Sequence, residues 1–218
     1  MPNFLPQKET KYSTNLYLKT KFIQMIKYIK VLCALVFIGG ITSQTLNAQD
    51  TNVKAHDVTI NIPEVALLDI EPAASTAITL APTAPTEAGS PLDFSGATNN
   101  SLWINYSSII GSTTEATRKV SVAITSGTMP GGMLLKVKSG DDAGNGDGTV
   151  GSSVGAITLS TTAQDCITGI GSCYTNTPEN NGHQLTYVLE LNGAGGSYAN
   201  LDFDDATTLT ITYTLSDN

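Results

Sequence analysis

The stretch TLTITYTL (208–215) decides the fold. Threonine takes every second position, and Leu209, Ile211, Tyr213 and Leu215 fill the places between. Successive side chains of a strand point to opposite faces, so this pattern gives one wet face and one core face. The same signature recurs upstream. HDVTINI (56–62) puts Val58, Ile60 and Ile62 on one face, LWINYSS (102–108) does so with Leu102, Ile104 and Tyr106, and RKVSVAIT (118–125) with Val120, Val122 and Ile124. VALLDIE (65–71), AITL (77–80), MLLKVK (133–138), GAITLS (155–160) and QLTYVLEL (184–191) complete a set of about nine strands. Gly, Asn, Asp and Pro clusters separate them, and APTAPTEAGSP (81–91) reads as loop. No stretch carries helical periodicity. The expectation is an all-β antiparallel sandwich; a β-barrel or jelly roll is the alternative, because alternation does not decide closure.

The amino-terminal segment is of another kind. MIKYIKVLCALVFIGGITSQTLNAQ (25–49) has basic Lys27 and Lys30, then an apolar run from Val31 to Ile41, then small and polar residues. That is the plan of a secretory signal peptide, with cleavage expected between Ala48 and Asp50. The apolar run falls short of the roughly twenty residues needed to span a bilayer, so no membrane span is expected after cleavage. Residues 1–24 read as a non-native start or an extended n-region, since Met25 offers a start of its own. Residues 50–218 form a single domain, long enough to bury a sizeable core. The expected location is secreted, periplasmic or on the surface of a bacterium.

Charge narrows the partners. From residue 50 onward five Lys or Arg stand against eighteen Asp or Glu, a net charge of −13. Such a surface repels phosphate backbones and excludes nucleic-acid binding. Cysteine usage fits export. The expected mature chain keeps Cys166 and Cys173, in CITGIGSC, and an even count in an oxidising compartment predicts one disulfide, with two glycines between them to turn the chain.

Candidate chemistry is sparse. In SGDDAGNGDGTVGSS (139–153), Asp141, Asp142, Asn145 and Asp147 offer oxygen ligands, making calcium the one candidate cofactor. The helix-loop-helix calcium pattern fails there, because the third position is Ala143 and the twelfth Ser152; a solvated hairpin turn has the same composition. In DFDD (202–205), alternation predicts Asp202 and Asp204 on a wet side and Phe203 inward, a charged edge rather than a catalytic pair. There is no Gly-x-Ser-x-Gly elbow, and His183 falls in the turn-like PENNGHQ. The reading is a non-enzyme. Trp103, out of phase with Leu102 and Ile104, and Tyr174, next to Cys173 in an expected loop, are the candidate ligand aromatics for a glycan.

GGSYANLDFDDATTLTITYTL (195–215), with its Gly-x-Tyr step and acidic segment before a final strand, resembles the end of secreted pilus-type subunits of the spore-coat-U kind. GDGTVGSS (146–153) resembles a turn before a late strand in that family. The family's cysteine near the mature amino terminus has no counterpart between Asp50 and Cys166. The resemblance implies an immunoglobulin-like sandwich and polymerisation by strand exchange. HDVTINI is the candidate donor, its Val58, Ile60 and Ile62 filling alternate pockets of a partner, although the simpler expectation makes it the first strand of its own sheet. An exported structural or adhesive surface protein, fimbrial in kind and associating with itself or with other surface proteins, is the first functional reading. A carbohydrate-binding or envelope recognition module is the alternative.

Overall fold

The computed structural model describes residues 18–30, 53–113, 115–193 and 197–218. The chain divides into two units, Met1–Thr59 and Ile60–Asn218. In the first, residues 18–30 are helical and exposed. No helix among the described residues is long and apolar enough to cross a membrane. The apolar core of the expected signal peptide and its cleavage site, residues 31–50, lie outside the described residues.

The second unit is an all-β, antiparallel sandwich. Its strands are β1 (Val65–Glu71), β2 (Thr98–Ile109), β3 (Arg118–Ser126), β4 (Met133–Asp142), β5 (Asp147–Ser153), β6 (Ala156–Thr158), β7 (Gln164–Tyr174), β8 (His183–Leu191) and β9 (Thr210–Asp217). A single 3-10 turn, Ser197–Asn200, lies between the last two. The strands form one hydrogen-bonded path, β6-β4-β8-β2-β7-β3-β9, with β1 paired to β2 and β5 to β7 off it. Taken as a sandwich, its layers are β6-β4-β8-β2 with β1, and β5-β7-β3-β9. A short ladder of Ser107 with Tyr174 and Ser108 with Cys173 joins the layers through β2 and β7.

Alternation places the core as the sequence predicts. Leu102, Ile104 and Tyr106 of β2, Val120, Val122 and Ile124 of β3, Leu135 and Val137 of β4, and Leu185 and Tyr187 of β8 are all buried in one cluster. Burying an aliphatic side chain of this size contributes about 1.5–3 kcal/mol, so this two-layer core is what the ladders are arranged around.

The strand list differs from the sequence reading in four places. HDVTINI (56–62) belongs to no strand and is not the first strand of the sheet. AITL (77–80) is extended without a ladder, although Ile78 and Leu80 still pack against the core. Conversely, β5 and β7 occupy segments read as a turn and a loop. Both are glycine-rich, and glycine breaks the pattern by which a strand is recognised. In β7 the glycine has a purpose: Gly169 has φ of +73° and sits where the β3 ladder skips between Val120↔Ile167 and Arg118↔Ile170. This bulge lets the strand bend between its two neighbours.

The registers fix one more relation. β1 begins opposite Ile109, the end of β2, while β9 ends opposite Arg118, the start of β3. β1 and β9 therefore meet end to end, and Arg118 lies at their junction.

Candidate functional site

Two features of the described residues could make contact with another molecule. The first is the segment 56–62. Val58, Ile60 and Ile62 are 70, 82 and 73% exposed, and no ladder includes their backbone. Three large apolar side chains at period two, exposed among the described residues, cost solvation that burial against another surface would recover. The second is the outer edge of β9, which pairs with β3 on one side only. Its Ile211, Tyr213 and Leu215 pack against the core but are only partly buried. Tyr213 Oη lies 2.8 Å from Tyr187 Oη. Burial pushes the Tyr187 hydroxyl up to about 12 and raises that of Tyr213 as well.

Arg118 holds the root of these features together. It is 1% exposed. Nε donates to Asp217 Oδ1 at 2.8 Å, at the end of β9. Nη1 donates to the carbonyls of Val65 and Ile109, and Nη2 to Glu64 and Glu115. One planar fork thus ties the start of β1, the end of β2 and the end of β9. The Asp217 hydrogen bond raises the arginine's pKa, outweighing burial. Sequence reasoning missed this residue; its only signal is a lone arginine at an inward phase of a strand.

The remaining candidates resolve into structure. Cys166 and Cys173 are free thiols, both buried in β7, and the predicted disulfide is absent. Seven strand steps separate them by about 23 Å, whereas a disulfide holds Cα atoms about 5.5–6 Å apart. Burial pushes the Cys166 thiol up to about 12. Cys173 rises to about 11, from burial first and the Asp142 charge second. Neither is an activated nucleophile.

The acidic segment covers the end of β4, a tight turn at 143–146 and the start of β5. Asp142 Oδ2 accepts from Gly144 N and Asp147 Oδ1 from Gly148 N, while Asn145 Nδ2 donates to the Asn180 carbonyl. Asp141 is exposed. Among the described residues no three His, Cys, Asp or Glu side chains come together in a way that could hold a metal ion. Asp142 Oδ1 is buried and has no hydrogen-bond partner among the described residues.

His183 is the first residue of β8 rather than part of a turn, and it is fully buried. Its Nδ1 faces the Gly140 carbonyl at 2.8 Å and its Nε2 faces Tyr106 Oη at 2.8 Å. Tyr106 Oη also meets the Val150 carbonyl. The rings stack at 5.7 Å. This buried brace joins β2, β4, β5 and β8. In DFDD, Asp202–Asp205 form a turn, with Asp204 N donating to Asp202 Oδ1, and Phe203 is 95% exposed rather than inward.

Trp103 is partly buried on β2, opposite Glu71 and Gln184. Tyr174 ends β7 instead of lying in a loop, half exposed and paired with Ser107. Positions 103 and 107 share the outward face of β2, so the two aromatic positions lie about 14 Å apart along it. Compared with known protein families, with curated proteins and with solved structures, the chain matches none.

Proposed function

We propose that this chain is an exported structural or adhesive subunit of a bacterial cell surface, fimbrial in kind, that associates with copies of itself by β-strand addition. The observation that carries this reading is the exposure of Val58, Ile60 and Ile62 in a segment that no ladder uses. An extended segment gains main-chain hydrogen bonds from a partner's sheet edge, and its alternate side chains supply the apolar contact. The raised thiols and the buried His183 brace support a non-catalytic role. The likeness of the closing residues to pilus-type subunits supports the same reading.

The test is electron microscopy and light scattering of the purified chain beside its Ile60→Asp variant. The unaltered chain forms oligomers that grow with concentration, and the variant stays monomeric with an unchanged circular dichroism spectrum. Monomers in both samples would remove the proposal. Glycan recognition is the second reading, favoured by Trp103 and Tyr174 standing on one outward face. There Trp103→Ala and Tyr174→Ala lower binding on a glycan array, while Ile60→Asp does not.

A further inference from the structure

We propose that Asn192, in the pair Asn192-Gly193 that follows β8, is a site of spontaneous modification: its side-chain amide leaves as ammonia and a carboxylate takes its place. The sequence holds three Asn-Gly pairs, at 145–146, 181–182 and 192–193. In such a pair the glycine nitrogen closes onto the asparagine Cγ, because glycine has no side chain to screen it. A new C–N bond forms, the Cγ–Nδ2 bond breaks, and ammonia carries away the proton that the glycine nitrogen gave up. Water then opens the cyclic imide at either of its carbonyls. One opening leaves an aspartate and the other a β-linked isoaspartate. Each adds a negative charge to an already acidic chain.

What separates the three pairs is how the fold holds them. At the first, Asn145 Nδ2 donates to the Asn180 carbonyl at 3.2 Å, and Asn176 Nδ2 donates to the Asn145 carbonyl at 3.3 Å. Gly146 lies flush against the end of β7, where a Cβ would collide with the Tyr174 carbonyl. At the second, Asn181 Nδ2 donates to the Pro178 carbonyl at 3.1 Å. Gly182 is buried, its carbonyl accepts from Ala143 N at 2.8 Å, and a Cβ on it would collide with the Ile104 carbonyl.

The third pair is open. Asn192 and Gly193 are both exposed, and a Cβ on Gly193 would meet nothing within 4 Å. Among the described residues no hydrogen bond engages the Asn192 side-chain amide; the residue is held by its main chain, with N donating to the Gly132 carbonyl at 2.8 Å and the carbonyl accepting from Ser197 Oγ. A pair held by its side chain must break those bonds before the ring closes, and each bond slows the reaction roughly fivefold. Asn192 has no such step. Water is the sole co-reactant, so conversion advances with time alone and its extent records the age of a molecule. The β-linked product also lengthens the main chain by an extra atom between β8 and the turn Ser197–Asn200.

The experiment incubates the full folded chain at mildly alkaline pH in heavy-oxygen water, digests it with chymotrypsin in ordinary water, and maps the peptides by electron-transfer mass spectrometry, which tells isoaspartate from aspartate. The expected result is heavy-oxygen acid at position 192, mostly as isoaspartate, forming at least about tenfold faster than at 145 or 181. In urea the three rates converge, and in the folded chain Gly193→Ala slows the reaction at 192. Equal rates at the three folded pairs, or a faster one at 145 or 181, overturn the site. Label at 192 as aspartate alone overturns the imide, since direct hydrolysis of the amide makes no isoaspartate, and so does a rate that Gly193→Ala leaves unchanged. Rates that stay apart in urea overturn the role of the fold, placing the difference in the neighbouring sequence. Asn192 intact throughout the incubation overturns the proposal outright.

Discussion

Arg118 shows how one side chain can set the connection between both ends of a sandwich. Its fork serves two carbonyls and three carboxylates, and no other residue type offers five donors in one plane. Arg118→Ala leaves the Val65 and Ile109 carbonyls without this donor. Because the partner carboxylates of Glu64 and Asp217 are more than half exposed, the loss should be about 2–4 kcal/mol, at the lower end of what breaking a buried pair costs. Glu64→Gln should cost under about 1 kcal/mol, as for an exposed ion pair. Urea titration of both variants checks the contrast; equal losses would contradict it.

The thiols give a second test at this scale. Cys166 and Cys173 resist alkylation in the native protein and react fully in urea, and reductant leaves the melting temperature unchanged. The buried acids also predict an alkaline limit. Cys166, Cys173 and Tyr187 rise from ordinary values of 9.0, 9.0 and 10.0 to about 12, 11 and 12. Their folded forms hold the proton more tightly than the unfolded chain does. The stability they contribute is complete below pH 9.0 and is lost as pH rises toward 11 and 12. Thermal melts from neutral pH upward should therefore be flat before they fall.

At the scale of elements, the legible strands and the missed ones differ in a single respect. RKVSVAIT announces β3 because Val120, Val122 and Ile124 repeat at period two and all three are buried. QDCITGIGSCY hides β7, although Cys166, Ile167, Ile170 and Cys173 are buried there, because the bulge at Gly169 shifts the phase midway. DGTVGSS hides β5 for a similar reason: Gly148 and Gly151 adopt positive φ, and little apolar mass remains to show a face. AITL has the strand pattern without the ladder: Ile78 and Leu80 pack against the core, and no strand pairs with its backbone. Gly169→Val tests the bulge. A β-branched side chain is strained at φ of +73°, so the variant should lose about 1–3 kcal/mol of stability in denaturant melts. A neutral outcome would mean that the strand does not need the left-handed residue.

For the whole molecule, the two layers share one core, and its centre should be the most sensitive place. Ile104 and Leu185 are fully buried on β2 and β8. Leu185→Ala should cost about 2–5 kcal/mol in one cooperative transition monitored by circular dichroism, because a close-packed site collapses poorly around a cavity. A separate early transition in one layer would break that picture. The sequence by itself determined the all-β class, most strand positions and the inward faces, because period-two alternation is a local property of the chain against water. It also singled out Val58, Ile60 and Ile62 as one apolar face. Only the tertiary structure decided that this face has no ladder of its own, that Cys166 and Cys173 stand far apart along one strand, and that Arg118 joins the chain's first and last strands. Those facts depend on which edges are already occupied, and edge occupancy is settled by ladders between residues up to about a hundred positions apart, such as Arg118 with Asp217.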